Sequence, residues 1–324
     1  MSNRAGYPLY AAINITTRCN LDCSYCYLQP RSEMDMTPTN FRKVLDDLCE
    51  NSIFFVHLSG GEPFLHPQFL EIVDYSCQKL DDVSILTNGT IIKKEHIDYF
   101  RSVTKTRVIK IQISIDSIFP EVNRKTRKID PRIILENIEQ LANSGVLLAA
   151  GMVVTRHNID TLLESIRLLS KSIRYFHIMC IQDTEYDPTL ERTLQPDGRR
   201  LSQLWDDLRR LQELYAIDIS QPRDFMRSNY KGCAYGAPCA GAFTYAVIDP
   251  NLNVRPCDKL NSIILGNLGV KPLREVWNDE AAKRFLDNES PLCMSKRRLR
   301  SNSEERYGQR AVDIRLRTVG GSDS

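Results

Sequence analysis

The strongest constraint on how this chain can fold is an alternation that runs through its first 180 or so residues, in which short β-rich runs take turns with amphipathic helical stretches. The runs that read as strands are Tyr10–Thr16, Phe54–Ser59, Val83–Thr87, Val108–Ile115, Leu147–Val154 and Tyr175–Ile181. Helical patterns lie near Thr37–Asn51, His66–Leu80, Lys93–Ser102, Pro131–Ser144 and Ile159–Ser170. Thr37-Pro38 is a helix start, with Thr as N-cap and Pro in the first turn, and Gly145 stands where a helix should stop. Repeated β–α units imply an α/β fold with a parallel sheet and helices outside it. In barrels and open sheets of this kind, chemistry gathers at the C-terminal ends of the strands.

Beyond this series, Asp197–Ala216 reads as one more long helix. From about Phe225 the chain turns rich in Gly, Pro, Cys and Tyr, with short β segments. Tyr245–Asp249 and Asn253–Pro256 flank Pro250–Leu252 as a hairpin, and a last helix is expected near Leu273–Asp287. After Met294 the sequence is basic and Ser-rich with little apolar periodicity, and is expected to be loose. The division expected is 1–220, 221–293 and a tail at 294–324.

With 43 basic and 41 acidic residues the formal net charge is +2, which gives no reason to expect nucleic acid or a membrane as partner. The first ten residues lack the apolar region of a secretory signal, and the apolar stretch Val146–Val154 is too short to span a bilayer. A cytoplasmic location is the resulting expectation. Ten cysteines then need a reason other than disulfides, namely metal ligation, catalysis or burial.

Cys19, Cys23 and Cys26 follow the first strand as C-x3-C-x2-C. Three thiolates on one loop leave one iron of a cubane cluster without a protein ligand, a site that can chelate the amino and carboxylate groups of S-adenosylmethionine (SAM). Structural zinc is the rival, but it wants four protein ligands and no obvious fourth lies nearby. A chance group of buried thiols is the remaining alternative.

Here the sequence resembles the radical SAM superfamily, over roughly residues 10–180. Tyr25 stands where family members place an aromatic beside the adenine. Gly60-Gly61-Glu62-Pro63 is similar to the family's GGEP segment, whose glycines let backbone approach SAM and whose Glu accepts from its ammonium. Leu86-Thr87-Asn88-Gly89 ends the third strand and Gln112-Ile113-Ser114-Ile115-Asp116 the fourth. The resemblance implies that Ser114 and Asp116 face SAM. Capping of a strand end is an equal alternative for Asn88 and Asp116. Arg127 stands where relatives carry an Arg for the SAM carboxylate, although the usual following Gly is Lys128 here.

Cys233-x5-Cys239, followed by Arg255-Pro256-Cys257, resembles the auxiliary-cluster region of SPASM and twitch members, as do Gly266-Asn267-Leu268 and Glu275-Val276-Trp277. A small zinc ribbon or unrelated thiols is the alternative. Cys293 can begin the C-x2-C-x5-C-x3-C run of full SPASM proteins, but the next positions are Lys296, Asn302 and Arg306. The expectation is therefore one auxiliary [4Fe–4S] cluster on Cys233, Cys239 and Cys257, with Cys293, Arg306 or a substrate atom as fourth ligand. The fold implied is a partial (β/α)6 TIM-like barrel with a small C-terminal α+β twitch/SPASM-like domain.

By the same resemblance, a one-electron donor such as flavodoxin or ferredoxin reduces the first cluster, SAM is cleaved to a 5′-deoxyadenosyl radical, and the radical takes a hydrogen from a substrate C–H bond. Epimerisation or dehydrogenation of a small polar natural-product intermediate of sugar, aminocyclitol or nucleoside type is the first reading. A maturase for a ribosomally made peptide is the alternative, and an inactive iron–sulfur or zinc scaffold is the non-enzyme reading. Cys180, near the end of the sixth strand, is either a hydrogen-atom donor to a substrate radical or a buried apolar cysteine. Cys49 and Cys77 are expected in the core, and His57 and His66 flanking the GGEP turn read as structural.

Overall fold

A computed structural model of the protein describes residues 7–29, 32–53, 55–220 and 244–286. Six parallel strands form its centre: β1 (Tyr10–Thr16), β2 (Phe55–Gly60), β3 (Asp82–Thr87), β4 (Val108–Ser114), β5 (Leu147–Val154) and β6 (Tyr175–Cys180). They pair in sequence order, and β7 (Asp218–Ser220) joins β6 in the same sense. On the other side β8 (Tyr245–Ile248) runs parallel to β1, with β9 (Asn253–Arg255) and β10 (Gly266–Asn267) following antiparallel. The result is one partially closed sheet of ten strands in the order β10-β9-β8-β1-β2-β3-β4-β5-β6-β7, which runs on through the expected boundary at 220. The expected α/β barrel with a C-terminal α+β segment is thus the architecture observed.

The connecting helices are α1 (Pro38–Glu50), α2 (Phe69–Lys79), α3 (Lys94–Val103), α4 (Pro120–Thr126), α5 (Arg132–Ala142) and α6 (Leu162–Leu169). They are followed by α7 (Leu190–Leu194), α8 (Gly198–Tyr215), α9 (Leu273–Asn278) and α10 (Glu280–Leu286). Thr37 caps α1 by accepting from the Asn40 amide, as its sequence suggests, a contact worth about 1 kcal/mol. The short helix α4 was not anticipated, because seven residues carry too little periodicity to stand out. It matters because it docks on the cysteine loop, as described below.

Burial alternates along β3 to β6. Ile109, Ile111 and Ile113 of β4, Leu148, Ala150 and Met152 of β5, and Phe176 and Ile178 of β6 are buried in the apolar core shared with the helices. The intervening residues, such as Gln112, Ala149, His177 and Met179, are half-buried and line the concave side. Period-two alternation under a curved sheet therefore yields a packed outer layer and an open inner one.

The β8–β9 hairpin is built by one carboxylate. Asp249 Oδ1 accepts from the amides of Asn251 (2.9 Å) and Asn253 (3.0 Å), while Oδ2 receives Arg255 Nε (3.0 Å) and Nη2 (2.6 Å). Leu252 takes the left-handed conformation there, at φ 65°. Among the described residues no helix is long and apolar enough to cross a membrane.

Candidate active site

The cysteine loop leaves the C-terminal end of β1 and is clamped from three sides. From β2, Gly61 N donates to Thr16 O (2.8 Å) and Glu62 N to Arg18 O (2.7 Å). A Cβ on Gly60 (φ +125°) would lie 2.1 Å from Thr16 O, and one on Gly61 would lie 2.1 Å from Arg18 O. Backbone against backbone explains the glycine pair: its immediate neighbour is the cysteine loop, where the sequence had suggested only approach to SAM. From α4, Thr126 O accepts from Ser24 N (2.9 Å) and Ser24 Oγ (3.1 Å). From the end of β3, Asn88 Nδ2 donates to Asn20 Oδ1 (2.8 Å) and reaches Cys19 Sγ at 3.8 Å.

Cys19, Cys23 and Cys26 are half-buried and are not joined in disulfides. Burial pushes the Cys23 thiol up, opposed by the Arg127 guanidinium, and the other two thiols lie within electrostatic reach of it. Yet among the described residues no three His, Cys, Asp or Glu side chains converge on a single metal ion. Three thiols on one loop are the donor set that iron–sulfur clusters take.

Glu62 is fully buried beside this loop. Its carboxylate accepts from Asn88 N (2.6 Å), Thr87 Oγ1 (2.8 Å) and Phe64 N (3.1 Å). Desolvation nevertheless pushes its pKa up to about 7, because three neutral donors do not replace a full hydration shell. An ammonium group placed against it would restore the charge.

Asp116, Tyr25 and Arg127 form one connected unit. Tyr25 OH donates to Asp116 Oδ2 (2.5 Å) and receives Arg127 Nη1 (2.9 Å), while Asp116 Oδ1 accepts from Val153 N (3.0 Å). Burial opposes the Arg127 charge, but Tyr25, Cys23 and Asp116 outweigh it and keep the guanidinium ionised. Its buried Nε finds no partner among the described residues. A cation held beside the thiols with one donor to spare suits a carboxylate ligand. Asp116 thus also serves as a strand-end cap, holding β5 and the tyrosine. Ser114 lies on the inner face of β4, paired in register with Gly151. Lys128 takes the left-handed conformation at φ 57° where the resemblance expects Gly, and Lys128 Nζ pairs with Asp22 (2.6 Å).

Cys180 shares strand parity with Phe176 and Ile178, so it lies toward the helices and packs against the core, with Met179 on the inner side. Burial pushes its thiol up to about 12, so it stays protonated. Cys77 is buried in the core and Cys49 packs against it. His66 is buried, with Nε2 on Met36 O (2.9 Å), a structural role.

Of the auxiliary-cluster cysteines, Cys257 is described and half-buried, while Cys233, Cys239 and Cys293 lie outside the described residues, as do Lys296, Asn302, Arg306, Phe54 and the 294–324 tail. Several contacts join the Cys257 turn to the rest of the site. Asn261 Nδ2 donates to Tyr27 O (2.8 Å), and Tyr245 OH donates to Asp258 Oδ2 (2.8 Å). The loop after β6 is held there too, through Ser262 N on Glu185 Oε2 (2.8 Å). Tyr27 and Asp258 carry no motif of their own, and only their neighbours in space mark them.

Comparison with known proteins agrees with this geometry. The family model of the radical SAM superfamily matches residues 13–169, and that of the SPASM iron–sulfur cluster-binding domain matches 239–297, a span holding Cys239, Cys257 and Cys293. The chain is 35% identical over 162 residues to the antilisterial bacteriocin subtilosin biosynthesis protein AlbA of Bacillus subtilis, covering 49% of this chain and 36% of that protein. It is 30% identical over 206 residues to mycofactocin maturase MftC of Mycolicibacterium smegmatis, covering 62% of this chain and 48% of that one. It therefore spans between about a third and a half of the length of these relatives. In fold, Streptococcus suis SuiB bound to S-adenosylmethionine superposes with a TM-score of 0.75 at 17% identity, covering 88% of this chain and 68% of SuiB. The chain belongs to the radical SAM superfamily and carries an iron–sulfur cluster-binding domain of the SPASM type toward its C-terminus.

Proposed function

We propose that this protein is a radical SAM maturase that modifies a ribosomally made peptide. The observation that carries the reading is the braced loop of Cys19, Cys23 and Cys26 beside buried Glu62 and the Tyr25–Asp116–Arg127 unit. A [4Fe–4S] cluster held there, with SAM, would supply a 5′-deoxyadenosyl radical that removes a hydrogen from a substrate carbon. Glu62 would receive the SAM ammonium, Arg127 its carboxylate, and Tyr25 would line the adenine side. An auxiliary cluster would be held by Cys257 with Cys233, Cys239 and Cys293. A one-electron donor such as flavodoxin or ferredoxin is the partner this chemistry requires.

Support for a peptide comes from the relatives. AlbA is named for the biosynthesis of a bacteriocin and MftC as a maturase, and a structure of SuiB contains a precursor peptide. The small-molecule reading reached from sequence draws less support from these comparisons, and 5′-deoxyadenosine formation by the reduced protein would remove the inactive-scaffold reading.

The test is anaerobic reconstitution with iron and sulfide, iron counting, and SAM cleavage with dithionite. About eight irons per chain with 5′-deoxyadenosine are expected for two cubane clusters. Co-expression with short open reading frames encoded beside the gene should then yield a peptide of altered mass. Iron loading without SAM cleavage would end the proposal. SAM cleavage with every such peptide unmodified would end its peptide part.

A further inference from the structure

The turn that follows Cys257 is held from three directions. Tyr245 OH of β8 donates to Asp258 Oδ2 (2.8 Å), and Asn261 Nδ2 reaches Tyr27 O (2.8 Å), next to Cys26 on the first cysteine loop. The third hold comes from the loop after β6. Glu185 N donates to Lys259 O (3.3 Å), Glu185 Oε2 accepts from Ser262 N (2.8 Å), and Glu185 Oε1 accepts from Ser262 Oγ. Lys259 Nζ donates in return to Gln182 Oε1. In the sheet β8 and β6 are separated by β1 to β5. One turn can bond both β8 and the β6 loop because the sheet curls its two sides toward each other. The Cys257 turn therefore spans the seam of the partial barrel, and Glu185 fastens it to the far side.

The loop that carries Glu185 has a shape of its own without this carboxylate. Thr184 N donates to Asp187 O (3.0 Å) and Asp187 N to Thr184 Oγ1 (2.9 Å), and Thr184 is only 3% exposed. Asp187 Oδ1 accepts from Thr189 N (2.9 Å) and Thr189 Oγ1 (2.7 Å), and Asp183 Oδ1 accepts from Glu191 N (2.8 Å) at the start of α7. Those bonds close the loop on itself, whereas the Glu185 amide and both of its carboxylate oxygens go to the Cys257 turn. Within that turn the bond from Leu260 N to Cys257 O is long, at 3.4 Å, so its shape leans on partners outside it. A carboxylate accepting from an amide and a hydroxyl makes charge-assisted bonds, which are stronger than neutral ones.

We propose that Glu185 is a positioning residue for the auxiliary cluster: from across the seam it fixes the Cys257 turn, and so sets how firmly the Cys257 thiolate grips its iron. The proposal rests on the reading of Cys257 as a ligand of that cluster. Groups beyond the ligands govern how tightly a metal is held and, through hydrogen bonding and solvent access, the potential of an iron–sulfur cluster. The demand on Glu185 is one of shape. A carboxamide that accepts from Ser262 N and donates to Ser262 Oγ meets the same demand without the charge.

The test uses the reconstituted full chain and its Glu185→Ala, Glu185→Gln and Cys257→Ala variants. It reads iron per chain, iron release to bathophenanthroline disulfonate, and redox-poised EPR, in which added SAM marks the cluster that binds it. Cys257→Ala should hold about four irons fewer per chain. Glu185→Ala should release iron from the auxiliary cluster at least about tenfold faster than the wild type and shift the potential of the SAM-insensitive signal. The SAM-sensitive signal should keep its potential, and Glu185→Gln should restore the wild-type behaviour.

Wild-type release and potential in Glu185→Ala overturn the proposal. Equal shifts in both clusters do so as well, because they mark a residue of the fold alone. Failure of Glu185→Gln to rescue assigns the effect to charge and also overturns it. Full iron in Cys257→Ala overturns it together with the auxiliary-cluster reading, whereas iron lost there but unaffected by Glu185→Ala removes Glu185 alone. Ser262→Ala, which deletes one of the contacts from an exposed position, decides the matter if Glu185→Ala does not fold. Faster release from the auxiliary cluster supports the proposal, and unchanged release overturns it.

Discussion

The rim of the barrel and its interior are packed in different ways. At the rim, Glu62 receives three hydrogen bonds, Asn88 bonds Asn20 and Thr90, and Tyr25, Asp116 and Arg127 complete one another. In the interior the close approaches are made by side chains instead: a Cβ on Gly151 would meet Gln112 Nε2 at 2.7 Å, where one on Gly61 would meet the Arg18 carbonyl oxygen at 2.1 Å. A flexible side chain can give way and a backbone carbonyl cannot, so the rim is fixed where the interior can adapt. Each region keeps one buried nitrogen without a partner among the described residues, Arg127 Nε at the rim and His57 Nδ1 inside.

Four experiments press on that contrast. The largest effect is expected for Cys19→Ala, which should abolish SAM cleavage and lower the iron content by about four per chain. Retained cleavage would move the chemistry away from this loop altogether.

Next is Gly61→Ala. Its Cβ would meet Arg18 O at 2.1 Å and Thr17 O at 2.8 Å, both backbone atoms that have nowhere to go. A loss of about 3 kcal/mol or more is expected in urea unfolding, with poor cluster incorporation. A stable, fully loaded variant would show that the rim is looser than its geometry says.

The third is a pH effect at Glu62. Its folded pKa, about 7, lies above the ordinary 4.5, so the folded chain holds this proton more tightly than the unfolded one. The metal-free chain should therefore lose stability as pH rises from about 4.5 to about 7, by about 3 kcal/mol in total, and level off above. SAM, which brings an ammonium to the ionised form, should bind more tightly over the same window, by up to about tenfold per pH unit, with no further gain above pH about 7. Equilibrium unfolding and SAM titration between pH 5 and 8 read both slopes. A flat SAM profile would separate Glu62 from the ammonium.

The smallest effect belongs to the interior. Gly151→Ala pushes only on the far end of the flexible Gln112 side chain, so stability should change by less than about 1 kcal/mol. Its consequence should appear in substrate selectivity instead. A loss as large as that of Gly61→Ala would erase the distinction between rim and interior.

Much of the rim was legible in the sequence because its residues are close along the chain or sit at strand ends. C-x3-C-x2-C, the Gly60-Gly61-Glu62 turn and Asn88 are local signals, and the β–α rhythm placed them at one end of the sheet. The reason for the glycine pair was not legible. It depends on how near the Thr16 and Arg18 carbonyls come, a distance that spacing does not encode. Cys180 shows the same gap: proximity to a strand end says nothing of parity, and parity turned it toward the helices.

By itself the sequence determined the repeating β–α series, the first cysteine loop and the order of the site's elements, because periodicity and short motifs are written within a few residues. Only the tertiary structure decided that β8 closes against β1 and that α4 supports the loop through Thr126. Those contacts join residues dozens to hundreds of positions apart, and sheet curvature, a property of the whole assembly of strands, sets their distances.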